Sequence, residues 1–208
     1  MSASSGRISR KSASEHRLFS NHRRALPHLL NDFEYRCAYS LRLVSENGGE
    51  MNMEVDHFDP RPHVKRNRYG NLFLSTRLCN NRKGNHWPND EDRKRGIRFL
   101  NCCEEVDYGK HIFEDPDTHE VFGVTPEGRY HVRRLDLNDP EFVSERKERT
   151  RLHELLKNTR VEFTKDFSHI PQNAIGQIRL LISELEREIS EKIPMLPTMK
   201  RSDAKSRD

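Results

Sequence analysis

With 208 residues, of which 33% are hydrophobic and 34% charged, the chain can form one compact domain with a small core and a large exposed surface. It has no run of about 18 apolar residues to span a membrane and no apolar stretch near the amino terminus to act as a signal peptide, so a soluble, cytoplasmic protein without membrane insertion is expected. A net charge of +4 and a pI of about 8.9 are only mildly basic, and the placement of the positive residues says more than their sum.

Residues 1–13 are rich in Ser, Arg and Lys with little to bury, which predicts a disordered basic arm. From Ser14 the pattern turns helical, with Leu18, Phe19, His22 and Leu26 along one face; Pro27 either starts a second short helix through Phe33 or kinks the first. Asn47-Gly48-Gly49 is a turn before a strand ending at His57, and Pro60 and Pro62 stop that strand. A polar, basic loop runs from Asp59 to Gly70, a returning strand covers Leu72 to Ser75, and a short helix begins at Leu78. Beyond it, His111-Ile112-Phe113 and Val121 to Val124 flank a turn at Asp115-Pro116-Asp117. A further turn at Thr125-Pro126-Glu127-Gly128 precedes Tyr130 to Leu137, so a small antiparallel meander is predicted. Two helices follow, Pro140 to Asn158 and Pro171 to Lys192; in the second, Ile175, Ile178, Ile182, Leu185 and Ile189 form a stripe that should pack on the first. The divisions are thus an arm at 1–13, a helical lead-in and core at 14–100, a hairpin and helical extension at 101–193, and a disordered tail at 194–208.

The chemistry gathers between Val55 and Asn85, in Val55-Asp56-His57-Phe58-Asp59-Pro60-Arg61, Gly70-Asn71-Leu72-Phe73-Leu74 and Leu78-Cys79-Asn80-Asn81-Arg82-Lys83-Gly84-Asn85. These pieces offer a carboxylate beside an imidazole, an asparagine opening an apolar strand, and an amide with basic residues on a helix. They are parts for metal-assisted phosphodiester hydrolysis: the imidazole takes a proton from water, and the carboxylate and amide oxygens suit a hard divalent cation. Strict alternation along a strand would send Asp56 and His57 to opposite faces, so a shared site requires the strand to end or twist there.

Together the three pieces resemble the site of HNH endonucleases, in a variant with Asn80 in the place of the last histidine. The resemblance implies an α+β protein on a ββα-metal core, with N-terminal helices, a small meander and C-terminal helices as additions. It implies His57 as general base, Asn71 as the residue that holds the loop carrying it, and Asp56 and Asn80 as metal ligands. It also implies Arg61, Lys65, Arg66, Arg68, Arg82 and Lys83 as contacts to the DNA backbone. One divalent cation, Mg2+ or Mn2+, is the implied cofactor. Many members of the family also clamp a structural zinc with two Cys-x-x-Cys pairs. Here Cys37 is followed by Ser40, and Thr76 precedes Cys79, so no structural zinc is expected and the two thiols should lie reduced near one another. The implied activity is nicking or double-strand cleavage of DNA, in the setting of bacterial anti-phage defence, with room for a regulatory or ATPase partner protein. The alternative is a catalytically silent subunit that binds nucleic acid or docks a partner in a larger complex.

Overall fold

The computed structural model describes residues 8–62, 65–103, 105–162, 171–192 and 196–204. Residues 8–20 form an irregular strap, contrary to the predicted basic arm and the helix from Ser14. The Arg10 guanidinium lies 5.2, 5.1 and 4.8 Å from the ring centroids of Phe33, Tyr69 and Phe73 and donates to Tyr69 O at 2.8 Å. A cation with aromatic faces and a carbonyl to meet has reason to pack, which a count of polar residues does not reveal. Ser12 anchors to Asp32, and the backbones of Glu15, Arg17 and Phe19 bond those of Gly70, Tyr69 and Asn67. Such pairing with a distant loop replaces the i to i−4 bonds of a helix. Residues 1–7, including Arg7, lie outside the described residues. Helical structure starts with a 3-10 turn at His22–Ala25 and continues as α1, Leu26–Asp32, with Pro27 in its first turn.

Strand β1, Met53–His57, pairs antiparallel with β2, Leu72–Thr76, in a register running from Met53↔Thr76 to His57↔Leu72. Every residue of β2 is buried; Phe33 packs edge-on against Phe73, and Ala38 N bonds Leu74 O at 2.8 Å. Thr76 ends the strand and caps α2, Arg77–Lys83, by accepting from Cys79 N at 3.2 Å. Gly84, at φ +53°, terminates α2. The two strands and this helix form the expected ββα unit of an α+β fold.

Helices α3, Asp90–Lys94, and α4, Glu105–His111, lead to a hairpin of β3, Ile112–Glu114, and β4, Val121–Gly123. The predicted third strand of a meander is instead helix α5, Pro126–Leu135. Thr125 accepts from Gly128 N at 3.1 Å and Pro126 occupies the first helical position, so the residues read as a turn are a helix start. Gly128, His131, Val132 and Leu135 are buried at helical spacing. The contact with the hairpin is between backbones: a Cβ on Gly123 would stand 2.1 Å from Arg129 N, and one on Gly128 2.1 Å from His111 O.

Helix α6, Pro140–Glu162, is moored by Phe142, which is buried, and by Arg42 bonded to Glu141 at 2.9 Å and Glu145 at 2.5 Å. Helix α7, Gln172–Lys192, lies against α6; of the predicted stripe, Ile175, Ile178 and Ile182 are partly buried and Leu185 is exposed, as are Leu180 and Leu181, while the side chain of Ile189 lies outside those described. The predicted disordered tail is corrected over 196–204. Glu114 N bonds Pro197 O, Met199 N bonds Glu114 O, and Thr198 bridges Glu114 beside β3 before the short helix α8, Arg201–Ala204. An unpaired strand edge draws in a chain end of otherwise unremarkable composition. Residues 193–195 and 205–208 lie outside the described residues. No described helix is long and apolar enough to cross a membrane.

Candidate active site

The carboxyl end of β1 carries Asp56 and His57, and the antiparallel ladder continues through both. The strand therefore does not end between them, and alternation places them in different surroundings, yet both line one cleft of about 370 Å³ with Asn80, Pro60, Arg66 and His22. Asp56 is 5% exposed. Tyr39 donates its hydroxyl hydrogen to Asp56 Oδ2, and Lys83 Nζ lies 3.1 Å from Oδ1 and 3.0 Å from Oδ2. Burial pushes the Asp56 carboxyl up and the Lys83 ammonium down from their ordinary values, while the pairing between them pulls each back.

On the other side, His57 Nε2 lies 2.9 Å from Asn67 Oδ1, and Arg66 Nη2 lies 3.4 Å from Nδ1. Asn71 ties the loop together: its Oδ1 accepts from Asp59 N at 2.8 Å, and its Nδ2 donates to Asp59 O and Arg66 O, both at 3.0 Å. Asn80 donates through Nδ2 to Glu54 Oε2 at 2.5 Å, and Arg77 holds the other Glu54 oxygen at 3.2 Å. The Asn80 amide oxygen has no hydrogen bond among the described residues. Glu54, two residues before Asp56 on the same strand, thus sets which end of that amide is left for a ligand.

Two of the predicted DNA contacts are corrected. Lys83 is fully buried, with its ammonium on Asp56 and on His57 O at 2.8 Å; the last turn of α2 faces the core, not the solvent. Arg82 bonds Asp139 at 2.5 Å, Asp136 at 3.1 Å and two carbonyls at the end of α5, and stacks over Phe142. It joins α2 to α5 and α6. Arg61 is exposed, paired with Asp59 at 2.7 Å and stacked over Trp87; Lys65 is exposed, and Arg66 and Arg68 are partly so. Trp87 packs against Phe58 and Phe99.

Sequence reasoning gave His22 only a place on a helix face and passed over Asn67, Tyr39 and Glu54. The His22 and His57 ring centres stand 4.8 Å apart. Burial, then His57, Arg23 and Arg66, lower the His22 imidazole below its ordinary pKa. None of these four had a signal in residue type or spacing; Glu54 sits on β1 itself, and the fold brings the other three to the site.

The residues fit a divalent cation as a two-oxygen site. A carboxylate offers about four lone-pair positions, and the donors from Tyr39 and Lys83 leave one on Oδ1; the Asn80 oxygen would be the second protein ligand. Among the described residues no group of three or more His, Cys, Asp and Glu could hold a metal, so water and phosphate would complete the shell, as suits Mg2+ or Mn2+ rather than a closed zinc site. Cys37 and Cys79 meet with Ser40 and Thr76 in the core, where Thr76 N donates to Cys37 Sγ at 3.4 Å, and no disulfide joins the described cysteines.

A histidine and an aspartate at the end of a strand, with an asparagine on the following helix of a ββα unit, define a metal-assisted nuclease type of site. Residues 36–86 match the HNH endonuclease family, and the chain carries an HNH endonuclease domain. No curated protein and no solved structure matches the chain. A domain of this family points to a hydrolase that uses one divalent metal ion and has DNA as its substrate.

Proposed function

We propose that the protein is a metal-dependent endonuclease that nicks or cuts DNA, with His57 as general base. The observation that carries this reading is the single cleft lined by His57, Asp56 and Asn80, whose loop is held in place by Asn71. In this reading Asp56 and Asn80 hold the cation, Mg2+ or Mn2+, which when bound neutralises phosphate charge and the developing charge on the leaving oxygen. His57 takes a proton from water as the water oxygen bonds phosphorus. The bond from phosphorus to the 3′ oxygen breaks, that oxygen gains a proton from solvent, and the ends carry 5′-phosphate and 3′-hydroxyl groups. Arg61, Lys65, Arg66 and Arg68 lie on the loop after β1 and position the backbone through phosphate contacts. The zinc clamp of related domains is replaced by two hydroxyls, so no structural zinc is assigned.

We place the activity in the cytoplasm and in bacterial anti-phage defence, on the general likeness of small stand-alone HNH proteins with a helical extension after the motif to the nuclease subunits of such systems. A regulatory or ATPase partner would dock on that extension. A second reading, a silent nucleic-acid-binding or docking subunit, is favoured by one observation: the Lys83 ammonium already contacts both Asp56 oxygens. Cleavage of supercoiled plasmid with Mg2+ or Mn2+ by wild type and His57→Ala, at matched folding, separates the two. Metal-dependent nicking that is lost in the variant supports the nuclease; binding without cutting in both supports the silent subunit.

A further inference from the structure

The loop after β1 meets the His57 imidazole at both nitrogens, with Asn67 Oδ1 2.9 Å from Nε2 and Arg66 Nη2 3.4 Å from Nδ1. A guanidinium nitrogen has only hydrogens to offer, so Nδ1 must present its lone pair to Arg66. The neutral ring then carries its proton on Nε2, and the group opposite must accept it. This also fixes the Asn67 amide: if its nitrogen faced Nε2, the ring would need its proton on Nδ1, against the Arg66 donor. One arrangement satisfies all three side chains.

We propose that Asn67 is a positioning residue that holds His57 as the Nε2–H tautomer, making Nδ1 the atom that receives the proton from water. An imidazole with no such partner divides between two tautomers, and only the one with its lone pair toward the water can act as base. Arg66 covers Nδ1 in the DNA-free protein. A phosphate competes for the same guanidinium with a stronger, charge-assisted contact, so substrate draws Arg66 off the base as it arrives.

The amide is held in place from outside the HNH segment. Asn67 O accepts from Phe19 N at 3.1 Å, Leu18 bridges Arg68, and Tyr69 N bonds Arg17 O at 2.9 Å. Within the loop, Asn71 fixes Arg66 O. The strap of residues 8–20 therefore sets the orientation of the base, although it lies before the segment that matches the family at residues 36–86.

The catalytic value of this tautomer rests on the nuclease reading; the tautomer itself does not. Long-range 1H–15N NMR on the full chain labelled at histidine, without metal or DNA and at a pH where the ring is neutral, reads it directly, with His57→Gln identifying the signals. The wild type should show Nε2–H. Arg66→Ala, which removes the donor to Nδ1, should keep Nε2–H; adding Asn67→Ala to it should move His57 to a mixture of tautomers or to Nδ1–H, and adding Asn67→Asp, which keeps an acceptor, should retain Nε2–H. In plasmid cleavage, Asn67→Ala should lower kcat by about 10–100-fold, the usual cost of losing an outer-shell orienting partner, with KM nearly unchanged. An Nδ1–H ring in the wild type, or an unchanged Nε2–H ring when Arg66→Ala and Asn67→Ala are combined, overturns the proposal without recourse to activity. The expected tautomers in a wild type that cuts no DNA would support Asn67 as the orienting group and overturn the nuclease reading instead.

Discussion

Asp56 and His57 are neighbours in the chain and stand in opposite surroundings. Asp56 faces the core, where Tyr39 and the fully buried Lys83 hold its oxygens. His57, also buried, faces a loop and a second histidine and is held by Asn67 and Arg66. The oxygen side of the site is thus part of the core and shares its stability. The base side is built from a loop and a strap that add little to the core, and there only orientation is at stake. Substitutions on the two sides should therefore fail in different ways, one in folding and the other in rate.

The largest expected effect is on the core side. Lys83→Met leaves a buried carboxylate without its cation and should cost about 3–5 kcal/mol of folding stability, read from the midpoint of urea unfolding. Asp56→Asn combined with Lys83→Met should recover most of that loss, because no charge is then left unpaired. An unchanged midpoint in Lys83→Met would break the comparison, since the pair would then not be part of the fold's stability.

On the loop side, His57→Ala should unfold much closer to wild type and yet lose about 10²–10⁴-fold in cleavage rate, the range for removing a general base. A stability loss as large as that of Lys83→Met would mean that both residues are core residues and the contrast is false.

The contrast also explains which parts of the molecule were legible in the sequence. Asp56, His57, Asn71 and Asn80 announce themselves by type and spacing along the two strands and helix that flank them, because the chemistry and the local fold are encoded together there. Asn67, set within a basic run, carries no local signal, because its meaning depends on the strap fixing its backbone from Phe19. Lys83 and Arg82 looked like phosphate ligands because charge on a short helix is usually solvated; Asp56, Asp139 and Phe142 turn both inward. At Thr125-Pro126-Glu127-Gly128 the residues that make a turn are the residues that start a helix. What decided between them was the hairpin backbone against Gly128, a contact that no local pattern shows.

A smaller effect separates the arginines that the sequence grouped together. Arg66→Ala should weaken DNA binding and reduce the slope of log K against log salt by about 1, as for the loss of one phosphate contact. Arg82→Ala should leave that slope unchanged while lowering the unfolding midpoint, because its donors serve α5 and α6. Equal slopes for both variants, measured from 50 to 200 mM salt by fluorescence anisotropy, would return Arg82 to the DNA surface.

The smallest effect concerns His22, where the two sides of the site come closest. Burial, followed by the neighbouring His57, Arg23 and Arg66, lowers its pKa from the ordinary 6.5. The unfolded chain then binds this proton more readily than the folded one, so unfolding free energy falls as pH drops below about 6.5 and levels off below the folded pKa. His22→Gln keeps a polar side chain but removes the titration, and should flatten that part of the curve while leaving stability above pH 7.5 nearly unchanged. The measurement is urea unfolding across that window in both proteins. If the slope survives the substitution, the acid sensitivity belongs to another group and His22 is not the point at which charge crowds the loop side of the site.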